Sequence, residues 1–106
     1  MSETSIEAGP PAYVINQIEV TDQTMFMTYA QAALPIIKAH GGEILVRGGA
    51  PEALWGASPG NRVVIIRFPS REAARAWRNS AAYAEILPVR DASSTSTVYV
   101  VDGVAP

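Results

Sequence analysis

The sequence predicts an α+β domain of β-α-β-β-α-β order, folded around one four-stranded antiparallel sheet that needs cover on both faces. Three observations carry this expectation. Four segments rich in β-branched residues alternate with segments whose apolar residues recur at helical spacing. Three of the β segments hold unbroken apolar runs, at residues 44–46, 63–66 and 98–101, where a sheet with one wet face would alternate apolar and polar. The chain has 106 residues, the size of a single domain, and at that length roughly two-thirds of the unfolded surface is buried.

Residues 1–12 are polar and end in Gly9-Pro10-Pro11-Ala12; a disordered lead-in is expected there, with the single domain over residues 13–104. The first strand is expected over residues 13–20. Asp22 then supplies a helix cap, because its carboxylate can accept the unpaired N–H groups of a first turn. Phe26, Ala30, Ala33 and Ile37 form one apolar row and Met25, Tyr29, Ala32 and Ile36 a second, so the helix has a broad buried face. It runs to about His40, where Gly41 suits the left-handed position after a helix. Pro35 lies inside it and removes one backbone donor.

The second strand is expected over residues 43–47 and the third over residues 62–68. The connection between them far exceeds the two to five residues of a hairpin, so it should cover or touch something. Ser70 caps a short helix over residues 71–78, and Ser80 a second one that Pro88 ends or bends. Residues 92–96 are rich in Ser and Thr and read as a turn, followed by a last strand over residues 97–102.

Composition excludes several function classes. Net charge is -2, and seven Arg and one Lys are scattered without a stripe; a nucleic-acid surface would need clustered positive charge. No apolar run approaches the roughly 18 residues of a membrane span. The first residues carry neither the basic start nor the apolar stretch of a leader peptide, and a cytoplasmic location is the default expectation. There is no Cys, which removes disulfides, thiolate metal sites and thiol nucleophiles. One His and scattered carboxylates give no ligand spacing, so no metal and no cofactor is expected. Charged residues make up 17% of the chain against about 25% in ordinary globular domains. Two helical segments can cover only one side of the sheet. The simplest cover for the other is a second copy of the same sheet, giving a homodimer.

An ordered set of residues adds to this reading. Val20-Thr21-Asp22, Tyr29, Pro35, His40-Gly41-Gly42, Arg47-Gly48-Gly49, Phe68-Pro69-Ser70, Ala73-Ala74, Trp77, Ser80, Tyr83 and Val101-Asp102-Gly103 stand in the order seen in family 1330 of the domains of unknown function. The chain resembles that family over about residues 13–103. The resemblance implies a ferredoxin-like fold of the dimeric α+β barrel type, with two sheets packed face to face. Families with this barrel include cofactor-free monooxygenases of the antibiotic-biosynthesis type, muconolactone isomerase-like enzymes, haem enzymes and stress-responsive barrels. Trp55 stands where the family often has Glu, and Arg78 where it often has Tyr.

Candidate chemistry rests on few side chains. His40 is the only histidine, the side-chain type most often used for proton transfer; it is either a general base in a cleft or a donor closing the helix C-terminus. Arg47 and Arg67 fall on neighbouring strands in the expected 4-1-3-2 order. Each could hold a carboxylate or enolate bidentately, or pair internally with Glu19 or Asp102. Asn16 and Gln17 interrupt an apolar strand, and one of them needs a buried partner. Tyr29, Trp77 and Tyr83 are either core aromatics or the walls of a slot between helices and sheet, over which Trp55 could lie.

Three functional readings result. The leading one is a small homodimeric domain that binds a small aromatic or anionic molecule between helices and sheet, with Tyr29, Arg47, Arg67, Trp77 and Tyr83 as its lining. The second is a cofactor-free monooxygenase-like or isomerase-like enzyme with His40 as base. The third is an interaction module without a ligand, which predicts a dry interface with no pocket near the roughly 300 Å³ of ordinary ligand sites.

Overall fold

In a computed structural model the described residues are 9–104; the first eight residues of the expected lead-in lie outside them. The chain runs β1 (Ala12–Val20), α1 (Gln23–Ala39), β2 (Glu43–Gly48), β3 (Arg62–Phe68), α2 (Arg71–Arg78), α3 (Ala81–Ser93) and β4 (Ser94–Asp102). The strands form one antiparallel sheet in the order β2-β3-β1-β4. This is the ferredoxin-like topology expected from the sequence. β1 opens one residue early, because Ala12 is fully buried and pairs with both Phe68 and Asp102.

Helix starts follow local chemistry. Asp22 Oδ1 accepts from Met25 N at 3.0 Å, Ser70 Oγ from Ala73 N at 3.1 Å and Ser80 Oγ from Tyr83 N at 3.2 Å, each satisfying one donor that the first turn leaves unpaired. After α1, Gly41 takes φ +82°, a conformation that a side chain would strain. Pro35 and Pro88 both lie inside their helices, so Pro88 does not end α3.

The turn expected over residues 92–96 does not exist. α3 runs to Ser93 and β4 begins at Ser94, paired with Val20. The hydroxyls do the work assigned to a turn. Ser93 Oγ donates to Val89 O at 2.7 Å and Ser94 Oγ to Arg90 O at 2.7 Å, capping carbonyls that the last helical turn leaves open. The Ser93 carbonyl then accepts from Thr21 N at 2.9 Å and Asp22 N at 3.2 Å, which ties the α3 end to the β1–α1 corner.

The two faces of the sheet differ. Val14, Asn16 and Ile18 alternate with Tyr13, Ile15 and Gln17, and register places Val14 opposite Ile66 and Asn16 opposite Val64. That face meets the helices and joins the core of Phe26, Tyr29, Ile37, Phe68, Trp77 and Tyr83. Among the described residues no helix covers the other face, where Ile15 sits between Ile65 and Tyr99. Tyr99 and Val101 are exposed there.

The long connection before β3 is anchored at its far end. Asn61 Oδ1 accepts from Val20 N at 2.9 Å, and Asn61 Nδ2 donates to Val20 O at 3.1 Å and Glu19 Oε2 at 3.2 Å. Gly60, at φ +107°, lies so close to the Ile18 carbonyl that a Cβ has no room. The middle of the loop stands in solvent, with Trp55 95% exposed, so Trp55 is no lid within this chain.

Candidate functional site

β2 carries a bulge. Ile44 pairs with Ile66 and Val46 with the adjacent Ile65, leaving Leu45 as the extra residue. Side chains alternate with period two, so one inserted residue turns every later side chain to the opposite face. Arg47 thus sits opposite Val64 on the helix side, whereas regular alternation would have turned it away. Arg62, two residues before Val64 on β3, shares that side.

These two arginines reach a cavity of about 130 Å³ between α1 and the sheet. Val64, Ile66 and Ile44 line it from the sheet and Phe26, Ala30 and Ile37 from α1, with Trp77 at one end. It is smaller than the roughly 300 Å³ of ordinary ligand pockets. It is close to the roughly 150 Å³ of an apolar cavity that accepts benzene, so one ring sets the limit of a guest in this arrangement. Its polar groups converge from few directions. Asn16, 5% exposed, donates Nδ2 to Val64 O at 3.1 Å. The Arg62 guanidinium lies 5.2 Å from the centroid of the Phe26 ring, within cation–π range. Arg62 Nε is buried and has no hydrogen-bond partner among the described residues.

Behind the cavity stands an aromatic wall. The Tyr29 and Tyr83 hydroxyls are 2.8 Å apart. Trp77 packs on Tyr83 with ring centroids 4.8 Å apart and on Phe68 at 5.5 Å. Burial pushes the Tyr29 phenol far above its ordinary value, and the neighbouring Tyr83 adds to the shift. Tyr29 is therefore a neutral hydrogen-bonding group, not a base. The raised value also sets an alkaline limit. An unfolded chain ionises this phenol near its ordinary value of about 10, while the folded chain holds the proton. Stability is complete below that pH and falls as pH rises above it. In an alkaline titration the last tyrosinate absorbance should appear together with loss of near-ultraviolet circular dichroism. Full ionisation of all tyrosines with the tertiary signal intact would contradict this.

The structure brings Tyr29, Arg47 and Trp77 together at the cavity, with Tyr83 behind Tyr29. It does not bring His40 or Arg67. His40 closes α1, with its ring Nδ1 2.9 Å from Ile36 O, and is not among the lining residues. Its ring hydrogen bond is that of the helix-end role. Arg67 pairs in register with Glu43 on the uncovered face and approaches its carboxylate at 3.9 Å, both side chains being largely exposed. The internal partners expected for the arginines also differ: Asp102 is held by Arg71 at 3.0 Å, and Glu19 by Asn61.

Arg62 and Phe26 also line the cavity and were legible only in part. Arg62 shares the parity of Val64, Ile66 and Phe68, a period-two signal that places it on the helix side. Among the described residues no three His, Asp or Glu side chains gather as metal ligands, and no helix is long and apolar enough to cross a membrane.

Comparison with known proteins agrees with this architecture. No curated protein matches the sequence. Among solved structures, a protein of unknown function from Rhodopseudomonas palustris superposes with a TM-score of 0.77 at 17% identity, covering 100% of this chain and 95% of that one. SnoaB, a cofactor-independent oxygenase from Streptomyces nogalater, gives 0.67 at 14% identity over 92% of this chain and 97% of its own. A candidate antibiotic biosynthesis monooxygenase from Nitrosomonas europaea gives 0.60 at 13% identity, with 92% and 94% covered. At such identities the likeness is one of fold. The family described as Domain of unknown function (DUF1330) matches residues 11–104.

Proposed function

Because the chain belongs to the DUF1330 family, whose description assigns no activity, we propose a function from its own geometry: it is a homodimer that binds a small planar anion in the cavity between α1 and the sheet. The observation that carries this reading is Arg62, which lines an apolar, ring-sized space and whose buried Nε has no partner among the described residues. An unpaired buried donor costs about 1–3 kcal/mol, and an anionic oxygen would relieve that cost with a charge-assisted bond. Arg47 on the same side of the sheet adds a second guanidinium, and the Asn16 side chain orients the guest. Homodimerisation is supported by the uncovered face, where Ile15, Val46, Val63, Ile65, Tyr99 and Val101 gather.

The enzymatic reading draws support from the fold shared with the oxygenase. Among the described residues, however, the cavity lining holds no carboxylate and no imidazole. Proton abstraction would then have no resident base, so binding is the reading the geometry favours.

The chain has two tryptophans, and Trp55 lies far from burial. A Trp55→Phe protein therefore leaves Trp77, at the cavity end, as sole reporter. Titration with benzoate should change its fluorescence saturably. Arg62→Ala in that background should weaken binding about tenfold, the scale of one charge-assisted bond. A response that never saturates, or that is equal in both proteins, would sink the proposal.

A further inference from the structure

Beyond Trp77 lies a second opening that the proposed function does not use. A cleft of about 360 Å³ separates α2 and α3 from the helix side of β4. Val14, Val98 and Val100 give it an apolar floor, and Arg75, Arg78 and Arg90 edge it. Arg75 and Arg78 are exposed and three residues apart on α2, so they share one side of that helix.

Arg90 differs from these two. It is only 6% exposed. Its Nη2 donates to Ser96 Oγ at 2.6 Å, and its guanidinium lies 6.0 Å from the centroid of the Tyr29 ring. Its Nε is buried without a hydrogen-bond partner among the described residues. Ion pairs among the described residues join Arg67 to Glu43 and Arg71 to Asp102, and none involves the three arginines of the cleft. The carboxylates of the same helices, Glu72, Glu85 and Asp91, are on exposed positions. A guanidinium removed from water without an opposite charge is costly, and packing alone does not need one here. Tyr83, Ile86 and Arg90 follow helical spacing, so an aliphatic residue would continue the stripe that Arg90 interrupts.

We propose that this cleft is a separate binding site for a small carboxylate with an apolar body. The carboxylate would lie against the Arg90 guanidinium, with Arg78 and Arg75 closing over it. The hydrocarbon part would lie on Val98 and Val100. A planar two-oxygen acceptor matches a guanidinium, and the apolar floor selects against a fully hydrated anion such as phosphate.

The test is nuclear magnetic resonance of the arginine Nε–H groups in the full ¹⁵N-labelled chain. Hexanoate is the probe and inorganic phosphate the comparison, both at low ionic strength. Hexanoate should move the Arg90 Nε–H signal saturably. The double variant Arg75→Ala/Arg78→Ala, altered only at exposed positions, should weaken that response about tenfold. An Arg90 signal that stays still, that drifts linearly, or that responds equally in the double variant overturns the proposal. So does an equal response to phosphate, which would mark a general anion site. The Arg62 Nε–H signal reports the other cavity independently, so either site can fail without the other.

Discussion

Replacing Trp77 by alanine should destabilise the chain by about 3–5 kcal/mol, the range for truncating a buried indole. Few positions offer more. Trp77 is 2% exposed, stacks between Phe68 and Tyr83, and lines both the α1–sheet cavity and the α2–β4 cleft. The void left by its removal would merge the two openings and uncouple α2 from the sheet. A domain of this size has a total stability of about 5–15 kcal/mol, so the loss is a large share of the whole. Urea unfolding monitored by circular dichroism would measure it. Trp77→Phe should recover part of the stability, because most of the apolar contact is kept. A loss below about 1 kcal/mol for Trp77→Ala would show that the wall is not the centre of the core.

Substituting Ile15 by glutamate should leave a folded but monomeric chain. Ile15 lies at the middle of the uncovered face, between Ile65 and Tyr99, and points away from the helix-side core. Its carboxylate would meet water in a lone protomer. In a face-to-face dimer it would be buried without a partner, in both subunits at once. Burying such a charge is expensive, and a penalty of about 3 kcal/mol already weakens association more than 100-fold. Light scattering should give a dimer for the parent chain at micromolar concentration and a single protomer for Ile15→Glu, with equal helix and strand content. A parent chain that is a lone protomer under those conditions would remove the homodimer from the proposed function. The contrast with Trp77 is useful: one substitution should lower stability, the other association.

The element order was legible because each element carries its own local signal. Asp22, Ser70 and Ser80 are hydrogen-bonding caps whose action needs only the next three residues. The strands at β1 and β3 declared themselves through β-branched runs. The largest structural misreading, the turn over residues 92–96, arose where two local meanings compete. Ser and Thr favour turns in isolation, but here Ser93 and Ser94 close the α3 end while Thr95 and Thr97 enter an edge strand paired with β1. That choice is made by long-range pairing.

The site was less legible than the fold. Tyr29, Trp77 and Arg47 do meet at the cavity. Arg67 and His40 stand apart from it, and Arg62 and Arg90 were passed over. Parity along β3 could have separated Arg62 from Arg67, since odd and even positions face opposite ways. Helical spacing from Tyr83 and Ile86 could have marked Arg90.

By itself the sequence determined the fold class, the order and caps of its elements, and the apolar runs that put hydrophobic residues on both faces of the sheet. Those properties follow from interactions within a few residues and from side-chain periodicity. Only the tertiary structure decided which arginines face the helices. The Leu45 bulge reverses the facing of Arg47 by one inserted residue, and no local preference encodes where strand pairing will slip. The two openings on either side of Trp77 have the same origin, because a cavity is what packed elements leave between them, and its shape belongs to no single segment.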